Sequence, residues 1–168
     1  LIHPFLDGNG RTGRLLIILY LISTGLLNKP VLYISDFFER NRMSYYDSLS
    51  MVKQTDNMTQ WLKFFLSGII ETSKNSIRTF DEIIELKKET ENKLAKIGKK
   101  AINGQRLLEL LYSQPKVNSK LVSKELDITP ATANGVLKAF VEIGILEEKT
   151  GYNRNRFYVF EDYIKIFR

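Results

Sequence analysis

The sequence predicts a mainly α chain in two parts, a helical N-terminal part and a smaller α+β C-terminal part. Three observations carry that expectation. A glycine-rich turn over residues 7–14 feeds directly into the unbroken apolar run Leu15 to Ile22. Apolar and aromatic residues then recur at helical spacing as far as Ile70. After a stretch rich in Glu, Lys, Asn and Thr come three short helical patterns and a hairpin whose second strand is aromatic.

The elements follow in order. Arg11 to Thr24 supports a helix with Gly25 placed for a left-handed C-terminal cap, and its apolar run predicts a buried core helix too short to span a membrane, which needs about 20 apolar residues. Asn28-Lys29-Pro30 is a connector. Ser35 and Asp36 are N-cap types, and Phe37, Phe38, Tyr45, Tyr46, Leu49 and Val52 predict one helix ending near Lys53, followed by a polar turn from Gln54 to Asn57. From Thr59, the residues Trp61, Leu62, Phe64, Phe65, Leu66, Ile69 and Ile70 form a broad apolar face. Ser73 to Lys100 reads as a connecting helix, and Gly98 with Asn103-Gly104 marks a boundary, giving expected domains over 1–98 and 99–168. In the second, Gln105 to Tyr112 and Ser119 to Leu126 are short helices, and Thr129-Pro130 caps a third that runs to Ile143. Ile145-Leu146 begins a strand, Thr150 to Asn155 is a turn, and Arg156 to Phe160 is the aromatic strand.

The chemistry concentrates in residues 3–14, His-Pro-Phe-Leu-Asp-Gly-Asn-Gly-Arg-Thr-Gly-Arg. Gly8 and Gly10 lack a Cβ, so the backbone can turn successive N–H groups inward, and the helix behind them adds its unpaired N–H groups and positive dipole end. That combination receives anions, phosphate above all. Arg11 and Arg14 lie three apart on the first turn, and planar guanidinium groups match phosphate oxygens two at a time. Asp7 offers a hard oxygen to Mg²⁺, which binds through one or two carboxylates plus substrate phosphates. His3 is the only histidine, and imidazole accepts protons near neutral pH. Pro4 restricts its backbone, and Phe5 supplies a ring expected to bury itself as an anchor.

This stretch resembles the signature of the Fic (filamentation induced by cAMP) family, His-Pro-Phe-x-Asp/Glu-Gly-Asn-Gly-Arg-x-x-Arg, at every specified position. The resemblance implies a protein adenylyltransferase that moves the AMP part of ATP to a hydroxyl of a target protein. It makes His3 the base for that hydroxyl and Asp7 the Mg²⁺ ligand, and it gives nucleotide binding to Asp7, Gly8, Asn9, Gly10, Arg11, Thr12, Gly13 and Arg14. Tyr45, the first tyrosine of Asn41-Arg42-x-x-Tyr45-Tyr46, is implied as a pocket residue. Doc kinases, relatives of this family, carry Lys where Gly10 stands, so Gly10 favours nucleotidyl over phosphoryl transfer. Lys53 departs from an Asn that contacts adenine in some relatives. Because the chain starts two residues before the loop, it is expected to hold the C-terminal half of a Fic helical domain, without the upstream helices and flap, and to be inactive alone for that reason. The C-terminal part resembles the winged helix-turn-helix module that often follows a Fic domain in bacterial proteins.

Composition narrows the remaining classes. With 168 residues, 43% hydrophobic content and no cysteine, the chain predicts a soluble cytoplasmic protein with no disulfide framework or thiolate metal site. The net charge of +6 permits acidic partners without dictating them. The partners expected are a target protein bearing a Tyr, Thr or Ser hydroxyl, a second copy of the chain in a homodimer, and DNA through the winged helix, with no membrane. DNA contacts would fall to Thr132, Asn134 and Lys138 on the third short helix and Arg154 and Arg156 on the wing. From Lys99 onward 12 Lys/Arg face 8 Asp/Glu, a net of +4, so phosphate contacts would be few. The competing function is a DNA-binding regulator whose loop only senses nucleotide.

Overall fold

The computed structural model describes residues 3–95, 101–151 and 156–168. It is mainly α with a small three-stranded sheet, and it divides into two compact units, Leu1–Arg78 and Thr79–Arg168.

In the first unit, α1 (Asn9–Ser23) starts behind Gly8, whose φ of 78° is left-handed, and ends at Thr24 before Gly25, with φ of 74°. Both glycines occupy backbone that a Cβ would strain. Contrary to expectation, no residue of α1 is buried. Only one side of it, through Ile17, Ile18 and Leu21, packs on the cluster of Leu32, Ile34, Phe37 and Phe38. The rest of its apolar run lies outside that cluster and is largely in solvent, with Leu15 and Leu16 each 58% and Tyr20 66% exposed.

The single helix expected from Ser35 to Lys53 is two, α2 (Ile34–Arg40) and α3 (Arg42–Thr55). The break is Asn41, whose side-chain Nδ2 and backbone N–H each donate to the Phe37 carbonyl at 3.0 Å, while its own carbonyl accepts from Tyr45 N–H. A short amide side chain that captures a helical carbonyl ends one helix and starts the next. The N-cap of α2 is Tyr33, two residues ahead of the expected Ser35, without a side-chain cap bond. Asp36 pairs with Arg40 at 2.9 Å along the helix instead.

The stretch from Thr59 and the expected connecting helix form one helix, α4 (Thr59–Leu94). Its start is held by Thr59 N–H donating to Asn57 Oδ1 at 2.9 Å. Gly68 does not break it; an added Cβ there would sit 2.6 Å from Phe37 Cδ1, so the glycine is the site of close approach by that ring. Gly98 lies outside the described residues.

In the second unit Asn103 and Gly104, expected at a boundary, lie inside α5 (Ala101–Ser113). A Cβ on Gly104 would meet Leu94 Cδ1 at 2.7 Å, so this glycine lets the end of α4 pack closely. Strand β1 (Lys116–Asn118) leads into α6 (Ser119–Leu126), whose cap is Asn118 Oδ1 accepting from Leu121 N–H at 2.8 Å. Helix α7 (Pro130–Glu142) begins as the sequence indicates, with Thr129 as N-cap and Pro130 in the first turn. Strands β2 (Glu147–Glu148) and β3 (Phe157–Val159) follow, then α8 (Glu161–Lys165). The antiparallel sheet has the order β1-β3-β2, pairing Val117 with Tyr158 and Glu148 with Tyr158. Ile145 and Leu146, expected to open the strand, are buried just ahead of β2. The core gathers Leu107, Leu111, Val117, Val122, Leu137, Phe140 and Phe160. Among the described residues no helix is long and apolar enough to cross a membrane.

Candidate functional site

Residues 3–8 lead into α1 without regular structure, and one side chain closes this loop. Asn9 Oδ1 accepts from Phe5 N–H at 3.0 Å, and Asn9 Nδ2 donates to the Phe5 carbonyl at 2.6 Å. This two-way bond pins the segment carrying Pro4 and Phe5 to the first residue of the helix. Asn9 was expected to cradle phosphate; its side chain is engaged in shaping the loop. Phe5 does not anchor in the core: it is 54% exposed, and no residue of the helix that follows it is buried. Its backbone, not its ring, is what the loop uses.

At the turn, Thr12 N–H donates to the Gly8 carbonyl at 2.9 Å, which leaves the N–H groups of Asn9, Gly10 and Arg11 as the unpaired donors at the start of the helix. The Arg14 guanidinium lies over Gly10, where a Cβ would meet Nη1 at 3.4 Å. Arg11 reaches back to Asp7, Nη2 to Oδ2 at 3.3 Å, with the carboxylate side chain 93% exposed. Gly13 has open space beside it, and His3 is exposed.

Arg11 and Arg14 form one wall of a cavity of about 440 Å³, whose other walls are Ser35, Phe38 and Glu39 of α2 and Arg42, Tyr45 and Tyr46 of α3. The sequence singled out Arg11, Arg14 and Tyr45 from this set and missed the rest. A signal was present, because Ser35, Phe38 and Glu39, and again Arg42, Tyr45 and Tyr46, recur at i, i+3 and i+4 and so share a helix face. Tyr45 stacks on Phe38 with ring centroids 4.9 Å apart and touches Trp61 at 5.6 Å, so the aromatic wall is set by the core beneath it. His3 and Asp7 belong to the same loop but do not line the cavity.

No group of three or more His, Cys, Asp or Glu side chains gathers for a metal among the described residues. The donor set fits a cation held by one exposed carboxylate, that of Asp7, and otherwise by ligand oxygens and water.

Residues 1–21 match the Fic/DOC family. Over 90 residues, 49% of this chain, the sequence is 34% identical to a probable protein adenylyltransferase of Aquifex aeolicus (strain VF5). At its N-terminal loop and first helix, the chain is similar to the Fic/DOC family. The matched segment covers 26% of the length of that curated relative. The family-matched segment thus contains the whole loop from His3 to Arg14 and most of α1, including Arg11 and Arg14 of the cavity wall.

The residues expected at DNA lie elsewhere, in the second unit. Thr132, Asn134 and Lys138 are exposed on α7, with Thr132 N–H donating to Thr129 Oγ1 at 3.2 Å in the cap. Arg156 is half-buried and acts electrostatically on Glu148, and Arg154 lies outside the described residues.

Proposed function

We propose that this protein transfers AMP from ATP to a hydroxyl group of a target protein. The observation that carries the reading is the coupling of a glycine-turned helix start, with Arg11 and Arg14 over it, to an aromatic-walled cavity of about 440 Å³. Cavities of roughly 300–1,000 Å³ suit small-molecule ligands, and a nucleotide needs both an anion end and a flat apolar end. The proposed placement sets the phosphates at the N–H groups of Gly10 and Arg11, and the base toward Tyr45 and Phe38.

In the reaction, His3 takes the proton of the target hydroxyl, and that oxygen attacks the α-phosphorus. The bond from the α-phosphorus to the bridging oxygen breaks, and pyrophosphate leaves with its charge held by Arg11 and Arg14. Mg²⁺ held by Asp7 would neutralise phosphate charge. Asn9 fixes the loop so that base and phosphates keep their geometry. We propose further that the chain comprises domains over 1–98 and 99–168 and acts in the cytoplasm. The element order α5-β1-α6-α7-β2-β3, with the sheet order β1-β3-β2, supports reading the second domain as a winged helix-turn-helix. DNA contact takes second place, since Lys138 is the one cation of α7.

The test is label transfer with the protein expressed from its full reading frame. ATP labelled at the α-phosphate should mark protein, and His3→Ala should lower transfer at least about a hundredfold while ATP still binds. Equal transfer by wild type and His3→Ala would remove His3 from the role of base.

A further inference from the structure

Resting on that reading of the cavity, we infer that Arg42 is a third phosphate-binding guanidinium, which sets the preference of the site for nucleoside triphosphate over monophosphate and is held in position by Tyr46. Arg42 opens α3 and lines the cavity with Arg11 and Arg14, so cations from two different helices face one space. Two of them come from the start of α1, three residues apart, and would hold an anion from one side only. Arg42 comes from the α2–α3 side, which makes the anion end of the cavity two-sided. A monophosphate can satisfy the α1 pair and the helix start alone, whereas a triphosphate has oxygens left over for a further fork.

Arg42 is exposed, yet its guanidinium has an aromatic partner. Its Cζ lies 5.7 Å from the centroid of the Tyr46 ring, within the range of a cation–π contact. Tyr46 in turn sits edge-on to Tyr45 at 5.3 Å, and Tyr45 stacks on the core ring of Phe38. The guanidinium therefore rests on a relay of rings that ends in the core; of three acids on α2 and α4, Asp36 and Glu71 pair with Arg40, and Glu39 lines the cavity itself. A triphosphate complexed with a divalent cation is the ligand that tolerates one carboxylate beside three guanidinium groups.

Titration calorimetry of the 168-residue chain with ATP, ADP and AMP in the presence of magnesium tests this. Losing a charge-assisted bond costs about tenfold in affinity, so Arg42→Gln should weaken ATP by about tenfold or more and AMP by less than about threefold. Arg42→Lys, which keeps the charge and loses the fork, should fall between. Tyr46→Leu should lower the ratio of ATP to AMP affinity in the same direction, a readout that a merely structural role would not move. If wild type binds ATP and Arg42→Gln binds it equally well, the inference fails and the nucleotide reading stands. If wild type binds no ATP, both fall.

Discussion

In the proposed site, His3, Asn9 and the two loop arginines divide the work in a way their residue types only half reveal. Asn9 is a polar residue beside a phosphate-type turn, yet both ends of its amide are bonded to the Phe5 backbone. Asn9→Ala should therefore act on loop order: transfer should fall about tenfold, and affinity for ATP by less, because the helix start and Arg14 remain. Kinetics that separate KM from kcat check this, and a loss confined to KM would return Asn9 to direct phosphate contact. The loop was legible because its glycines, arginines and histidine carry chemistry at fixed spacing. The hydrogen-bonded role of Asn9 was not, since nothing in a residue type says which of two polar partners it takes.

Helix packing supplies predictions that depend on where each glycine lies. Ala in place of Gly68 gains about 1 kcal/mol of helix propensity but drives a methyl into the Phe37 ring, 2.6 Å away. The ring is buried and rigid, so Gly68→Ala should destabilise the first unit by about 1–3 kcal/mol in chemical denaturation. At Gly104 the atom met is a terminal methyl of Leu94, at 2.7 Å, which can turn away. Gly104→Ala should stay within about 1 kcal/mol of wild type, as propensity and crowding offset each other. A hairpin test uses Glu148, whose carboxyl is held below its usual range first by the Thr150 hydroxyl and also by Gly151 N–H, at 2.7 and 2.8 Å. A lowered folded-state value means stability present above the ordinary glutamate range and lost as pH falls through the folded value. Melting temperature measured below about pH 4.3 should drop less steeply in Glu148→Gln than in wild type. Helix starts with a dedicated cap, Thr129-Pro130 above all, were readable to the residue. The break at Asn41 and strand β1 were not, the first resting on one side-chain bond and the second on pairing with β3, which is 40 residues away in sequence.

At the scale of the whole molecule, hydrophobic pattern identified the elements but not what covers them. The run Leu15 to Ile22 has the composition of a core helix, and in this structure Leu15, Leu16, Leu19 and Tyr20 are exposed. Contiguous apolar surface of this kind binds hydrophobic dyes or drives association. The folded 168-residue chain should enhance anilinonaphthalene sulfonate fluorescence, and Leu16→Glu with Leu19→Glu should reduce it without loss of helicity. An unchanged signal would mean the exposed face of α1 is not the binding surface. The helix-rich fold followed from the helical spacing of apolar residues, whereas the division at Arg78 and Thr79, inside α4, did not match the boundary expected at 98/99, because the apolar face of α4 changes character near Ser73.

The central claim is AMP transfer from a nucleotide seated between α1 and the faces of α2 and α3. Mass spectrometry of protein targets incubated with the protein, ATP and magnesium tests it most directly, by the group added to a Tyr, Thr or Ser hydroxyl. An adduct of adenosine monophosphate that disappears with His3→Ala is the predicted result, and an adduct of phosphate alone would contradict it.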